Sequence, residues 1–241
     1  MREANEGHTV KRYDAELARL RNLVLEMGGL VISQTEKSVR ALRKQDLEAA
    51  RLVVEREPAV NEFDILAERE MNKIIALRQP VAGDLRLIIG VSKAISDLER
   101  IGDEALKIAR IAIRLYDSDE SSPNKKLLRD VKVMCGIACD MLRAALDAFD
   151  TMNMQRAVEI AKEDDELDNE FQSATRRLTT YVMEDSRNMG HAMNVLLVVK
   201  ALERIGDHAK NIAEYVVFLV KGKDVRHVAP EAIEAESLGQ T

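Results

Sequence analysis

Two stretches of this chain are nearly the same. Asp97-Leu98-Glu99-Arg100-Ile101-Gly102-Asp103 returns as Ala201-Leu202-Glu203-Arg204-Ile205-Gly206-Asp207, 104 residues further on. In a chain of 241 residues that spacing implies two homologous halves, so any fold proposed for one half has to be built twice. Each copy carries a Glu and an Asp four residues apart. On a helix they stand one turn apart on one face, where like charges cost roughly 0.2 to 0.5 kcal/mol per pair. Two readings follow. The first is a solvated face, with Asp103 eased by Lys107 and Glu203 by Lys200; the second is a pair of hard oxygen ligands whose repulsion a cation turns into attraction.

Composition points to helices. Aromatics make up 3% of the residues, there is no Trp, and only 4 Pro and 11 Gly interrupt a chain rich in Leu, Ala, Glu, Arg, Met and Val. The balance of 46% hydrophobic and 32% charged residues is that of a globular chain with a real core. A net charge of −6, with no Lys/Arg run interleaved with aromatics, gives no footprint for gripping nucleic acid. Residues 1–12 lack the apolar centre of a signal peptide and no stretch reaches the roughly 18 apolar residues of a membrane span, so a cytoplasmic protein is expected. Cys135 and Cys139, one helical turn apart among Met134, Ala138 and Leu142, lack a second ligand pair for zinc and read as packing thiols.

Apolar spacing then gives the plan. A polar arm to about residue 8 leads into a helix to about Lys44, with Leu17, Leu20, Val24, Met27 and Val31 on one face and Gly28-Gly29 allowing a close crossing or a bend. Asp46 caps Leu47 to Glu57, Pro58 suits the first position of a second main helix to about Arg78, and 79–83 form a turn. Asp84 is expected to cap the third helix, whose stripe Leu87, Val91, Ala94, Leu98, Ile101, Ala105, Ile108, Ala112, Leu115 alternates steps of four and three. Tyr116 to Pro123 is the polar break in mid-chain. Beyond it Met134-Cys135-Gly136-Ile137 answers to Met27-Gly28-Gly29-Leu30, and the last stripe runs from His191 to Leu219. After Lys221-Gly222-Lys223 the residues to 241 read as a polar tail. The fold class is all-α: two tandem three-helix bundles, six long helices, divided as residues 1–116 and 117–241.

At 100° per residue, Glu99 lies about 100° and Asp103 about 140° from the centre of the core stripe, so both edge the apolar face. Antiparallel pairing through the turn near residue 81 places Glu57, Asn61 and Glu62 level with Asp103. In the second half the turn near 187 brings Asp164 and Asp168 level with Asp207. The candidate metal-ligating residues are Glu99 and Asp103 in the first half and Asp164, Asp168, Glu203 and Asp207 in the second. The second set is richer, because Asn61 stands where it has Asp168. A hard cation wants about six oxygens, and such a set with water can supply them; oxygen ligands admit Mg, Mn, Ca, Fe or Zn.

No catalytic constellation accompanies these carboxylates. No Glu stands three residues before any His, as a di-metal oxidase of the ferritin type needs, and there is no Walker loop, GxSxG elbow or Gly-rich dinucleotide turn. His208, beside Asp207, reads either as a phosphotransfer or ligand histidine or as a partly exposed polar residue; its counterpart is Glu104.

With the doubled Glu-Arg-Ile-Gly-Asp stand Arg78-Gln79-Pro80 followed by Asp84-Leu85-Arg86, Met183-Glu184-Asp185-Ser186-Arg187, Val220-Lys221-Gly222 and Arg226-His227-Val228. On these the chain resembles the PhoU family of phosphate-uptake regulators from about residue 12 to 230. The resemblance implies a non-enzymatic protein that represses the phosphate-starvation (Pho) response when phosphate is plentiful. It implies contact with the ATPase subunit of the phosphate ABC transporter (PstB) and with the sensor histidine kinase PhoR at the cytoplasmic membrane face, and commonly a homodimer. In some members the motifs that fall here on Glu99 with Asp103 and on Glu203 with Asp207 hold metal. The competing expectations are a carboxylate-bound metal enzyme and a purely structural bundle.

Overall fold

The computed structural model describes residues 11–117 and 125–223. The expected polar arm, the mid-chain break after Asp117, the tail and the Arg226-His227-Val228 stretch lie outside these residues. Seven α-helices fill them: α1 Lys11–Lys44, α2 Leu47–Glu55, α3 Pro58–Arg78, α4 Ala82–Tyr116, α5 Arg129–Thr151, α6 Met154–Glu184 and α7 Met189–Lys221. Helices α2 and α3 together stand where α6 stands in the second half, so the architecture is six-helical, with one helix interrupted. The interruption is local chemistry: Pro58 has no N–H to continue α2, and it opens α3 at the position where that donor is not needed. Asp46 closes the other end of α2, accepting from the Ala49 backbone N–H at 3.0 Å.

Asp84 does not cap α4. The helix starts two residues earlier, at Ala82, with Val81 as an extended residue before it. Asp84 sits in the first turn, where a carboxylate complements the helix dipole, and it accepts the Tyr13 hydroxyl at 3.0 Å. That contact ties the start of α1 to the start of α4. At the far end Gly222, at φ 74°, closes α7 in the left-handed conformation glycine allows.

Each half is an up-down-up bundle, and α4 and α7 lie antiparallel between the halves. Buried apolar residues from both halves form one continuous core. Cys135 and Cys139 lie in it as free thiols. The glycines mark close approaches. A Cβ on Gly28 would lie 2.4 Å from Leu146 of α5, so this glycine serves the crossing of α1 with α5; beside it Gly29 faces open space. The glycines of the doubled motif turn into their own bundles: a Cβ on Gly102 would meet Val60 at 3.1 Å, and one on Gly206 would meet Leu167 at 2.2 Å. Among the described residues no helix is long and apolar enough to cross a membrane.

Candidate functional site

The close approaches at Gly102 and Gly206 draw α3 against α4 and α6 against α7, and this sets the acidic residues of adjoining helices beside one another. In the second half all four expected carboxylates lie near enough to act on one another's charge. Asp207 is pushed up to about 6, first by desolvation and then by Glu203, Asp164 and Asp168. Asp168 is raised in the same way, by desolvation and then by Asp164 and Glu203. Lysines answer part of this charge. Lys210 donates to the buried Asp164 at 2.7 Å and Lys200 to Glu203 Oε1 at 2.6 Å, while Glu203 Oε2 is shut off from solvent with no hydrogen-bond partner.

The first half is thinner. Glu99 is raised by desolvation and then by Asp103, with Asp64 and Glu57 contributing. Asn61 turns its amide to Glu57, donating to Oε1 at 2.8 Å. Glu57 therefore stands where expected and Glu62 does not join it, because position 62 lies about 140° round the helix from 57. The residue that does join is Asp64. Its signal was the spacing 57, 61, 64, which keeps one face.

A hard cation suits the second-half set in chemistry: carboxylates only, one oxygen without a donor, and a negative field that raises Asp207 well above the usual carboxylate range. Among the described residues no three or more His, Cys, Asp or Glu side chains stand at metal-holding spacing. Lys200 and Lys210 occupy two of the carboxylates. An ion at this site would displace them, with Asp164, Asp168, Glu203 and Asp207 as its holders.

A second polar assembly joins the two halves, and the sequence reading did not find it. Asp97, 7% exposed, accepts the Tyr215 hydroxyl at 2.6 Å and the Asn211 amide at 3.3 Å, and its Oδ1 lies 2.7 Å from His208 Nδ1. Close by, Glu104 of α4 accepts from Arg204 of α7 at 2.7 Å and from Lys107 at 3.2 Å. His208 is thus taken up in a seam between α4 and α7, with 13% of its side chain exposed. The clue was available: Asp97 is the position where the other copy of the motif has Ala201.

Comparison with known proteins agrees with the doubled pattern. The family model described as "PhoU domain" matches twice, over residues 24–112 and 131–216. A Pseudomonas putida protein described as a phosphate-specific transport system accessory protein PhoU homolog is 42% identical over 238 residues, 99% of this chain and 92% of the relative. The Escherichia coli K12 phosphate-specific transport system accessory protein PhoU is 38% identical over 227 residues, 94% of this chain and 92% of its own length. Among solved structures, PhoU from Pseudomonas aeruginosa superposes with a TM-score of 0.81 at 42% identity, over 88% of this chain and 100% of that one. The phosphate transport system regulatory protein PhoU from Streptococcus pneumoniae gives 0.80 at 28% identity, over 88% and 99%.

Proposed function

This chain belongs to the PhoU family, and from that premise we propose that it works by contact, as an adaptor that passes the state of phosphate transport to the control of the phosphate-starvation genes. It is an accessory and regulatory protein of phosphate-specific transport rather than an enzyme. The partners of the adaptor are a PstB-like transporter ATPase and a PhoR-like sensor histidine kinase. It acts as a homodimer at the cytoplasmic face of the membrane, held there by its partners. With phosphate plentiful it keeps the Pho regulon repressed.

The observation that carries this reading is the match over 99% of the chain, through both repeats, to an accessory protein of the transport system. The site supports it. Carboxylates drawn from two helices give each half a charged patch, exposed in the second half at Asp168 and Asp207, and a divalent cation bound there would bridge the patch or fix its shape without reacting. Asp164, Asp168, Glu203 and Asp207 are the holders in the second half; Glu99 and Asp103, with Glu57 and Asp64, form the weaker set in the first.

Deleting the gene is expected to derepress a phosphate-starvation reporter in phosphate-rich medium, and restoring the chain is expected to silence it. Unchanged reporter output in the deletion strain would remove the proposal.

A further inference from the structure

The acidic patch of the second half is one end of a longer feature. Along α6 the positions Asp164, Asp168, Phe171, Thr175, Thr179 and Val182 follow steps of four and three, so they share one face. Along α7 the same holds for Met189, Met193, Leu196, Lys200, Glu203 and Asp207. These two faces flank the seam between α6 and α7, a groove that is open from Phe171 to Val182 and that leads to the carboxylates, about 27 Å in all for the 18 steps from Asp164 to Val182 at 1.5 Å each. Its acidic end is the carboxylate cluster. In its middle the Lys200 ammonium lies over the Phe171 ring, 5.3 Å from the centroid. Its other end is an apolar cleft of about 230 Å³ bordered by Leu178, Val182 and Met183 on one side and Met189, Met193 and Leu196 on the other. Met183 is 83% exposed and Met189 and Met193 are each 51% exposed, side chains that adapt to whatever covers them.

The first half lacks this continuity. Its equivalent positions are Glu68, Asn72 and Ile75 on α3 and Leu85, Ile89, Ser92 and Ser96 on α4, so polar residues stand between the acidic end and a small apolar tip.

We infer that the α6–α7 groove docks an amphipathic helix of a partner protein, with apolar residues in the methionine-lined cleft and Lys or Arg residues over Asp168 and Asp207. Charge selects this occupant. Lys210 and Lys200 already pair with Asp164 and Glu203, whereas Asp168 and Asp207, both exposed, have no ion pair among the described residues. With no cation bound, a basic side chain placed there meets the unanswered charge of Asp168 and Asp207, while an acidic one is repelled by it. The groove is straight and some five turns long, a match for a helix laid in it by its apolar stripe. This deepens the adaptor reading by naming a contact surface, and its test is made on purified protein, so its failure leaves the reporter experiment standing.

The experiment is selection of 18-residue helical peptides, displayed on phage, with apolar positions fixed at helical spacing over one half and all other positions random. The bait is the full chain, and selected peptides are measured by fluorescence anisotropy. Lys and Arg are expected to be enriched at the end opposite the apolar half. Met193→Asp and Asp168→Lys, both at exposed positions, are each expected to weaken binding at least tenfold, and Ile89→Asp in the first half to leave it as in the parent. Met193→Asp is also expected to leave Mn²⁺ uptake unchanged, which separates helix docking from cation binding. Failure to select any binder, selected peptides without basic enrichment, or binding indifferent to Met193→Asp or to Asp168→Lys would overturn the inference. So would binding weakened equally by Ile89→Asp, or Mn²⁺ uptake lost with Met193→Asp.

Discussion

The two halves share a backbone plan and a motif, yet their acidic faces differ in strength. In the second half Asp207 feels three other carboxylates; in the first, Asn61 replaces one of them and donates a hydrogen bond to another. The lysines differ as well. Lys200 and Lys210 stand where the first half has Ser96 and Leu106, so the half with more carboxylates also carries the cations that partly answer them. A duplicated motif therefore fixes where charge is placed, and the residues around it decide how much charge is left over for a partner or an ion.

The two halves also meet unequally. Asp97 of the first half takes three donors from the second, at nine-tenths burial, while the Arg204 that meets Glu104 is 43% exposed. Asp97→Ala takes away the acceptor that the half-buried His208 and Asn211 share with the buried Tyr215, and it is expected to cost about 3 kcal/mol for several hydrogen bonds to one buried carboxylate. Glu104→Ala is expected to cost about 1 kcal/mol, since Arg204 regains water. Urea unfolding of both variants checks the order, and equal losses would erase the asymmetry.

The glycines separate the halves by a smaller amount. Gly206→Ala puts a methyl group 2.2 Å from Leu167, which is fully buried and has little room to move. A net loss of about 1 to 2 kcal/mol is expected, overpacking set against a helix-propensity gain of about 1 kcal/mol. Gly102→Ala meets Val60 at 3.1 Å, and there the same gain is expected to bring the change to within about 0.5 kcal/mol of zero. Thermal unfolding distinguishes them.

The smallest effect is electrostatic and depends on pH. Asp207 holds its proton more tightly in the folded chain, at about 6, than in the unfolded one, at the ordinary aspartate value of 3.8. The folded state therefore binds more protons between these values, and the chain loses stability as pH rises from about 4 through 6. Asp207→Asn is expected to remove that fall and to stabilise the chain by about 1 kcal/mol at pH 7, once solvent screening of an exposed residue is allowed for. Denaturation of the parent and of Asp207→Asn at pH 4.5 and pH 7 reads the difference.

Most of the helical plan was legible in the sequence, because the core stripes of α1, α4 and α7 run without a slip and Asp46 and Pro58 punctuate α2 and α3 by local chemistry alone. Asp84 misled: a carboxylate suits both a cap and a first turn, and only the packing of Tyr13 against it decides between them. The second-half acidic set was legible because antiparallel pairing converts turn position into register. Register gave the level but not the face, so Glu62 was expected where Asp64 stands. The seam through Asp97 and His208 was hidden for a different reason: repeats reveal what each half contains, and the way one half lies against the other depends on long-range packing of α4 on α7.

The doubled motif is proposed to present carboxylates as a patch for holding a cation, most strongly in the second half. Its most direct test is elemental analysis of the purified parent, of the Glu203→Gln/Asp207→Asn variant, and of the Glu99→Gln/Asp103→Asn variant, with helicity followed by circular dichroism. The second-half variant is expected to lose its bound metal with helicity intact, while the first-half variant keeps the greater part. Equal metal content in the parent and the Glu203→Gln/Asp207→Asn variant would contradict it.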